Sequence, residues 1–85
     1  MRIKLSKASD IGPLVRAVRK AQKMRQDDTA GAVGVSENFL SKIEHGADKA
    51  QWNKLFQVLH GLGIHVVLDL PEEARSYLPQ GTEQS

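Results

Sequence analysis

The stretch Gln26-Asp27-Asp28-Thr29-Ala30-Gly31-Ala32-Val33-Gly34-Val35-Ser36-Glu37-Asn38-Phe39-Leu40-Ser41-Lys42-Ile43 decides how this 85-residue chain is read. At its centre Gly34 separates two short runs of helical periodicity. Before it, over 26–33, Thr29, Ala30 and Val33 share a modest apolar face. Asp27 and Asp28 stand in the first turn there, where the helix dipole favours acid. Gly31 inside this run costs about 1 kcal/mol relative to alanine, so packing rather than propensity must hold it. After Gly34, Ser36 is a strong N-cap for a helix over 37–45 whose inward side is Phe39, Leu40 and Ile43. Gly34 supplies the positive φ that a tight turn needs, and Ala30 the small side chain that closely crossing helices need at their contact. Val33, Val35, Leu40 and Ile43 stand where both helices must be anchored to a third, so the joint spacing is that of a helix-turn-helix.

The anchoring helix lies upstream, over 10–22. Ser9 or Asp10 offers its N-cap, and Pro13 falls in the first turn, where a missing N–H costs little. Ile11, Leu14, Val15, Val18 and Ala21 form its apolar stripe, with Arg16, Arg19, Lys20 and Lys23 mostly off it. Downstream, Gly46 sits where a helix ends through a left-handed residue. A fourth helix over 50–62 repeats Trp52, Leu55, Phe56, Leu59 and Leu62 at three- and four-residue steps, a spacing that assigns Trp52 and Phe56 to the core.

Ile64-His65-Val66-Val67-Leu68-Asp69-Leu70 alternates and predicts a strand with Ile64, Val66, Leu68 and Leu70 on one face. Its N–H and C=O groups require partners. Residues 2–5, also alternating, are one candidate; the same strand of a second molecule is the favoured one and makes a two-fold homodimer. The predicted fold class is therefore mainly α: a compact four- to five-helix domain with a C-terminal β-strand pairing across a dimer. Residues 1–9 form an N-terminal arm with the makings of a short strand, 10–63 the helix-turn-helix domain, 64–70 the dimerisation strand and 71–85 a flexible acidic tail.

Composition narrows the functions. A chain of this length holds one domain with a small core. It has no cysteine, so no disulfide or thiolate metal site exists. The longest uncharged apolar run, residues 61–68, is interrupted by His65 and cannot span a bilayer, and no leader pattern follows the N-terminal bases; a cytoplasmic protein with no membrane partner is expected. The net charge of +2 conceals an asymmetry: residues 1–25 carry +7, residues 26–70 carry −3 and residues 71–85 carry −2. Such a concentration of base fits a polyanionic partner as well as a solvated helix face. His45, His60 and His65 lack metal-ligand spacing, and neither a phosphate-binding glycine loop nor a serine elbow is present, so no enzyme, metal or cofactor is expected.

The residues Arg25-Gln26-Asp27-Asp28-Thr29-Ala30, Val33-Gly34-Val35-Ser36 and Phe39-Leu40-Ser41-Lys42-Ile43-Glu44-His45-Gly46 resemble the Xre/Cro-type, phage repressor-like helix-turn-helix family, over about residues 10–62. The ending Val58-Leu59-His60-Gly61-Leu62-Gly63-Ile64-His65-Val66-Val67-Leu68, a Leu-x-x-Leu-Gly pattern running into the expected strand, resembles, more narrowly, the HipB-type antitoxins. That resemblance implies a homodimeric repressor of its own operon that binds double-stranded operator DNA and a HipA-like kinase toxin. Four positions depart from the pattern: Thr29 replaces a large apolar residue, Arg25 a Thr or Asn cap, and Asp27 and Asp28 place two acids near an expected phosphate.

The second helix of such a pair enters the major groove by its N-terminal half. Asn38 suits adenine, Lys42 guanine, Glu37 the cytosine amino group and Ser41 several bases. The resemblance assigns base reading to Ser36, Glu37, Asn38, Ser41 and Lys42, with Ser36 acting also as the cap. Gln26 at a helix start is placed to hydrogen-bond a phosphate, with Arg25, Lys23, Arg19 and Lys49 as further phosphate-binding residues. The resemblance also pairs Arg19 with Glu44, an ion pair locking the first helix to the reader. The alternative function is a protein-interaction module that neutralises or bridges a partner protein with little specific DNA binding, favoured by Asp27-Asp28 and the short second helix.

Overall fold

A 3-10 turn over Ala8–Asp10 leads into the first helix of the computed structural model, which describes residues 1–84; Ser85, the last residue of the expected tail, lies outside them. The turn exists because the Asp10 carboxylate folds back, Oδ2 accepting from the backbone N–H groups of Ser6 at 3.0 Å and Lys7 at 3.2 Å. Asp10 therefore closes the turn ahead of the helix and makes no side-chain cap to the helix that follows. Helix α1 (Ile11–Ala21) is followed by α2 (Gln26–Val33), α3 (Glu37–Glu44), α4 (Trp52–Gly61) and a second 3-10 segment, Glu72–Tyr77.

Local chemistry fixes the joints. Ser36 caps α3, its Oγ accepting from the Phe39 N–H at 3.0 Å. Gly34 takes φ +85° after α2, and the N–H groups of Gly34 and Val35 both reach the Ala30 carbonyl, at 2.9 and 3.0 Å. Gln57 of α4 completes this turn from outside, Nε2 donating to the Val33 carbonyl at 2.6 Å. Gln22 does the same for the end of α4, donating to the Leu62 carbonyl at 3.0 Å.

Val15, Ala30, Leu40, Ile43, Val58, Leu59 and Leu62 form one buried cluster joining all four helices. Burial of this apolar area is the main stabilising term. Gly12 lets α1 approach α3 closely: a Cβ there would stand 2.1 Å from the Ile43 carbonyl oxygen.

The structure corrects two expectations. Residues 64–70 form no β-strand, nor do residues 2–5, and no strand exists among the described residues. The fold is therefore helical without a C-terminal strand. Apolar alternation at Ile64, Val66, Leu68 and Leu70 sets which side chains share a face, but a strand also needs a ladder of backbone partners, and neither segment supplies one to the other. Trp52 and Phe56 are not core residues: they are 77% and 44% exposed and stack on each other with ring centroids 5.9 Å apart. They lie around the side of α4 from the face that buries Val58, Leu59 and Leu62, a neighbouring angle of the same helical repeat.

Candidate nucleic-acid interface

The site is built where the start of α2 meets the outer side of α3. The alternation of buried Leu40, Ile43 and Glu44 with exposed Glu37, Asn38 and Lys42 turns the polar face of α3 to solvent. Gln26, the first residue of α2, joins Glu37, Asn38 and Ser41 around one open hollow of about 460 Å³. Lys42 is exposed on the same helix, and Ser36 is exposed with its hydroxyl engaged as the cap. The amide, carboxylate and hydroxyl side chains of this surface offer both donors and acceptors, the chemistry needed to discriminate base edges.

Behind the surface lies a buried polar cluster. Arg19 is 7% exposed and Glu44 6%. The two meet in bidentate fashion: Arg19 Nε donates to Glu44 Oε2 at 2.6 Å and Nη2 to Oε1 at 2.8 Å. Arg19 Nη1 donates to the Met24 carbonyl at 2.7 Å, which ties the α1–α2 connection to the same centre. Gln26 Nε2 donates to Glu44 Oε1 at 3.1 Å. Burial pushes the Glu44 carboxyl upward, but the hydrogen bonds from Arg19 and Gln26 and the charges of Arg19 and Arg16 outweigh it and hold its pKa below the usual carboxylate range. The hydrogen bond to Glu44 raises the Arg19 pKa against the opposing effect of burial.

The other basic residues named from the sequence stand apart from the hollow. Arg25, Lys23 and Lys49 are exposed and do not line it. Arg25 Nε lies 3.3 Å from Asp27 Oδ1, so one of the two acids at this helix start is turned toward a base. Lys23 adopts φ +58°, the left-handed conformation that closes α1. Arg19 has three N–H arms committed inside the fold, unlike a free phosphate ligand.

Two contributors escaped sequence reasoning. The Gln26–Glu44 bond links residues 18 apart, and no periodicity signals it. His45, the residue after α3, places Nδ1 2.7 Å from the Ser41 carbonyl at the end of that helix. Among the described residues no group of three or more His, Asp or Glu side chains is placed to hold a metal ion, and no helix is long and apolar enough to cross a membrane.

Comparison with known proteins agrees with this architecture. The helix-turn-helix family model matches residues 15–67. An uncharacterized HTH-type transcriptional regulator of Sinorhizobium fredii, y4mF, is 46% identical over 67 residues, which are 79% of this chain and 88% of the relative. Among solved structures, a chain of the HipA-HipB-O2-O3 complex superposes with a TM-score of 0.74 at 18% identity, covering 84% of this chain and all of the other. The clp gene regulator ClgR of C. glutamicum superposes with a TM-score of 0.61 at 26% identity, covering 73% and 80%. The HipB likeness is one of fold. The chain belongs to the helix-turn-helix family of DNA-binding transcriptional regulators.

Proposed function

We propose that the protein is a sequence-specific repressor that binds double-stranded operator DNA as a homodimer, and that it is the antitoxin of an operon encoding a HipA-like kinase toxin. The observation that carries the DNA reading is the convergence of Gln26, Glu37, Asn38 and Ser41 on one open hollow at the start of α3. Asn38, Lys42, Glu37 and Ser41 read base edges in the major groove, with Ser36 at the helix start. Gln26 and the exposed Arg25, Lys23 and Lys49 meet phosphates, which position the helix without specifying sequence. Arg19 contributes by holding α1 against α3 through Glu44, its phosphate contact limited to the N–H groups left free. Such a protein works in the cytoplasm beside its DNA.

The toxin partner is proposed on likeness of fold to a chain of the HipA-HipB-O2-O3 complex, and autoregulation on the resemblance of the sequence to the HipB-type antitoxins. The homodimer is supported by a broad apolar surface that one chain leaves open: Trp52, Phe56, Val66, Leu68 and Leu70 are all exposed. Basic Arg2 and Lys4 and acidic Asp69 and Glu72 border that same surface.

The test is a binding titration with the DNA upstream of the protein's own reading frame and with a scrambled duplex of equal length, at several salt concentrations. A shift of the upstream duplex at concentrations that leave the scrambled one free, weakening steeply as salt rises, is the expected result. Equal affinity for both duplexes would refute the sequence-specific function.

A further inference from the structure

We propose that Glu44 is a positioning residue of the interface: it fixes the amide of Gln26 in one orientation, so that Gln26 meets DNA as a directional contact with its donor and acceptor sides predetermined. The proposal rests on the DNA-binding function above and adds a residue that does not itself touch DNA.

The geometry supplies the reason. A carboxylate only accepts hydrogen bonds, whereas a glutamine amide has a donating end and an accepting end. Glu44 Oε1 is the partner of the Gln26 amide, so the nitrogen must face it; a flipped amide would set two oxygens against each other. Glu44 itself cannot turn away. Its side chain is 1% exposed, and both its oxygens are held by Arg19. The charged groups bearing on it are Arg19 and Arg16, both cationic, so it remains an acceptor. One N–H and the Oε1 of Gln26 are then left for a ligand at the hollow shared with Glu37, Asn38 and Ser41.

Two consequences distinguish this arrangement from an ordinary surface glutamine. Gln26 has already lost rotamer freedom that a free side chain would lose on binding, which raises affinity. The arrangement of its free donor and acceptor is also set by the fold, so a change at position 44 alters how Gln26 binds even though position 44 lies behind it.

The test combines a readout that needs no DNA with one that does. In the 15N-labelled protein the Gln26 side-chain NH2 pair should be shifted and slow to exchange compared with exposed glutamines such as Gln51, and it should move as Glu44 is protonated on acidification. In Glu44→Gln, whose neutral amide accepts or donates, that distinct signature should be lost. On DNA, Gln26→Ala should weaken binding about tenfold to a hundredfold, the size of one hydrogen bond to a charged phosphate, and Glu44→Gln should weaken it as well. The effect of Glu44→Gln should shrink in the Gln26→Ala background to what loss of the Arg19 pair alone costs. A Gln26 amide that behaves like an exposed one in the wild type overturns the proposal, as does a Glu44→Gln effect undiminished in the Gln26→Ala background. If Glu44→Gln fails to fold, the wild-type amide titration decides. If the wild type binds no DNA, the functional reading falls while the amide readout still decides the orientation.

Discussion

Replacing Thr29 by valine should make the protein more stable. Thr29 is fully buried on α2, and its Oγ1 has no hydrogen-bond partner among the described residues. A hydroxyl buried without a partner carries a desolvation penalty of about 1–3 kcal/mol. Valine keeps the branched shape, and both residues are similarly poor helix formers, so neither packing volume nor the propensity of α2 changes much. Taking the lower part of that range, because a methyl fits less freely than a hydroxyl, the gain is about 1 kcal/mol. For a domain of this size that raises Tm by about 4–8 °C. Thr29→Ser is the matching control: it keeps the unpaired hydroxyl, removes a buried methyl and should cost about 1 kcal/mol. Urea melts followed by far-UV circular dichroism at one protein concentration give both values, with an unchanged m-value certifying that only stability moved. A valine variant less stable than the wild type would mean that the hydroxyl is paired in the folded protein and carries no such penalty.

Other perturbations test other joints. Gly12→Ala forces a methyl to within 2.1 Å of the Ile43 carbonyl unless α1 and α3 separate. It should destabilise by about 1–3 kcal/mol in the same melts, although alanine is the better helix former. Lys23→Gly should stabilise by about 1 kcal/mol, because Lys23 holds φ +58° in a conformation that glycine adopts freely; an unchanged midpoint would count against that geometry. Because the folded-state pKa of Glu44 is depressed, its contribution to stability is complete above the ordinary carboxylate range and is lost as pH falls through the lower folded value. Thermal melts from neutral pH downward should show that loss in the wild type and a smaller one in Glu44→Gln.

The sequence made the centre of the fold legible because the decisive signals there are local. A glycine at positive φ, a serine capping its own helix and an alanine at a crossing are each recognised from the residue and its immediate neighbours. Leu40 and Ile43 were placed inward, and Asn38 and Lys42 outward, by one helical period. What escaped depends on partners distant in sequence. The angle separating Trp52 and Phe56 from Val58, Leu59 and Leu62 is small, and which neighbours arrive decides which side is covered. Alternation at 64–70 was equally compatible with a strand and with an unpaired extended segment, since backbone partners are not written into the alternation itself. Asp10 could reach forward to α1 or backward to Ser6 and Lys7, and only the folded chain shows that it reaches back. Gln57 and Gln22, ordinary surface glutamines in the sequence, find carbonyls at the ends of other helices.

In the proposed function α3 reads bases while its surroundings hold phosphates. This is tested most directly by measuring, at one salt concentration, the affinity of wild type, Asn38→Ala, Lys42→Ala and Lys23→Ala for the upstream duplex and for a scrambled one. The two α3 variants should each lose about 1–3 kcal/mol on the upstream duplex with little change on the scrambled one, collapsing the specificity ratio. Lys23→Ala should weaken both duplexes alike. Asn38→Ala and Lys42→Ala variants that retain the full wild-type specificity ratio would contradict the account.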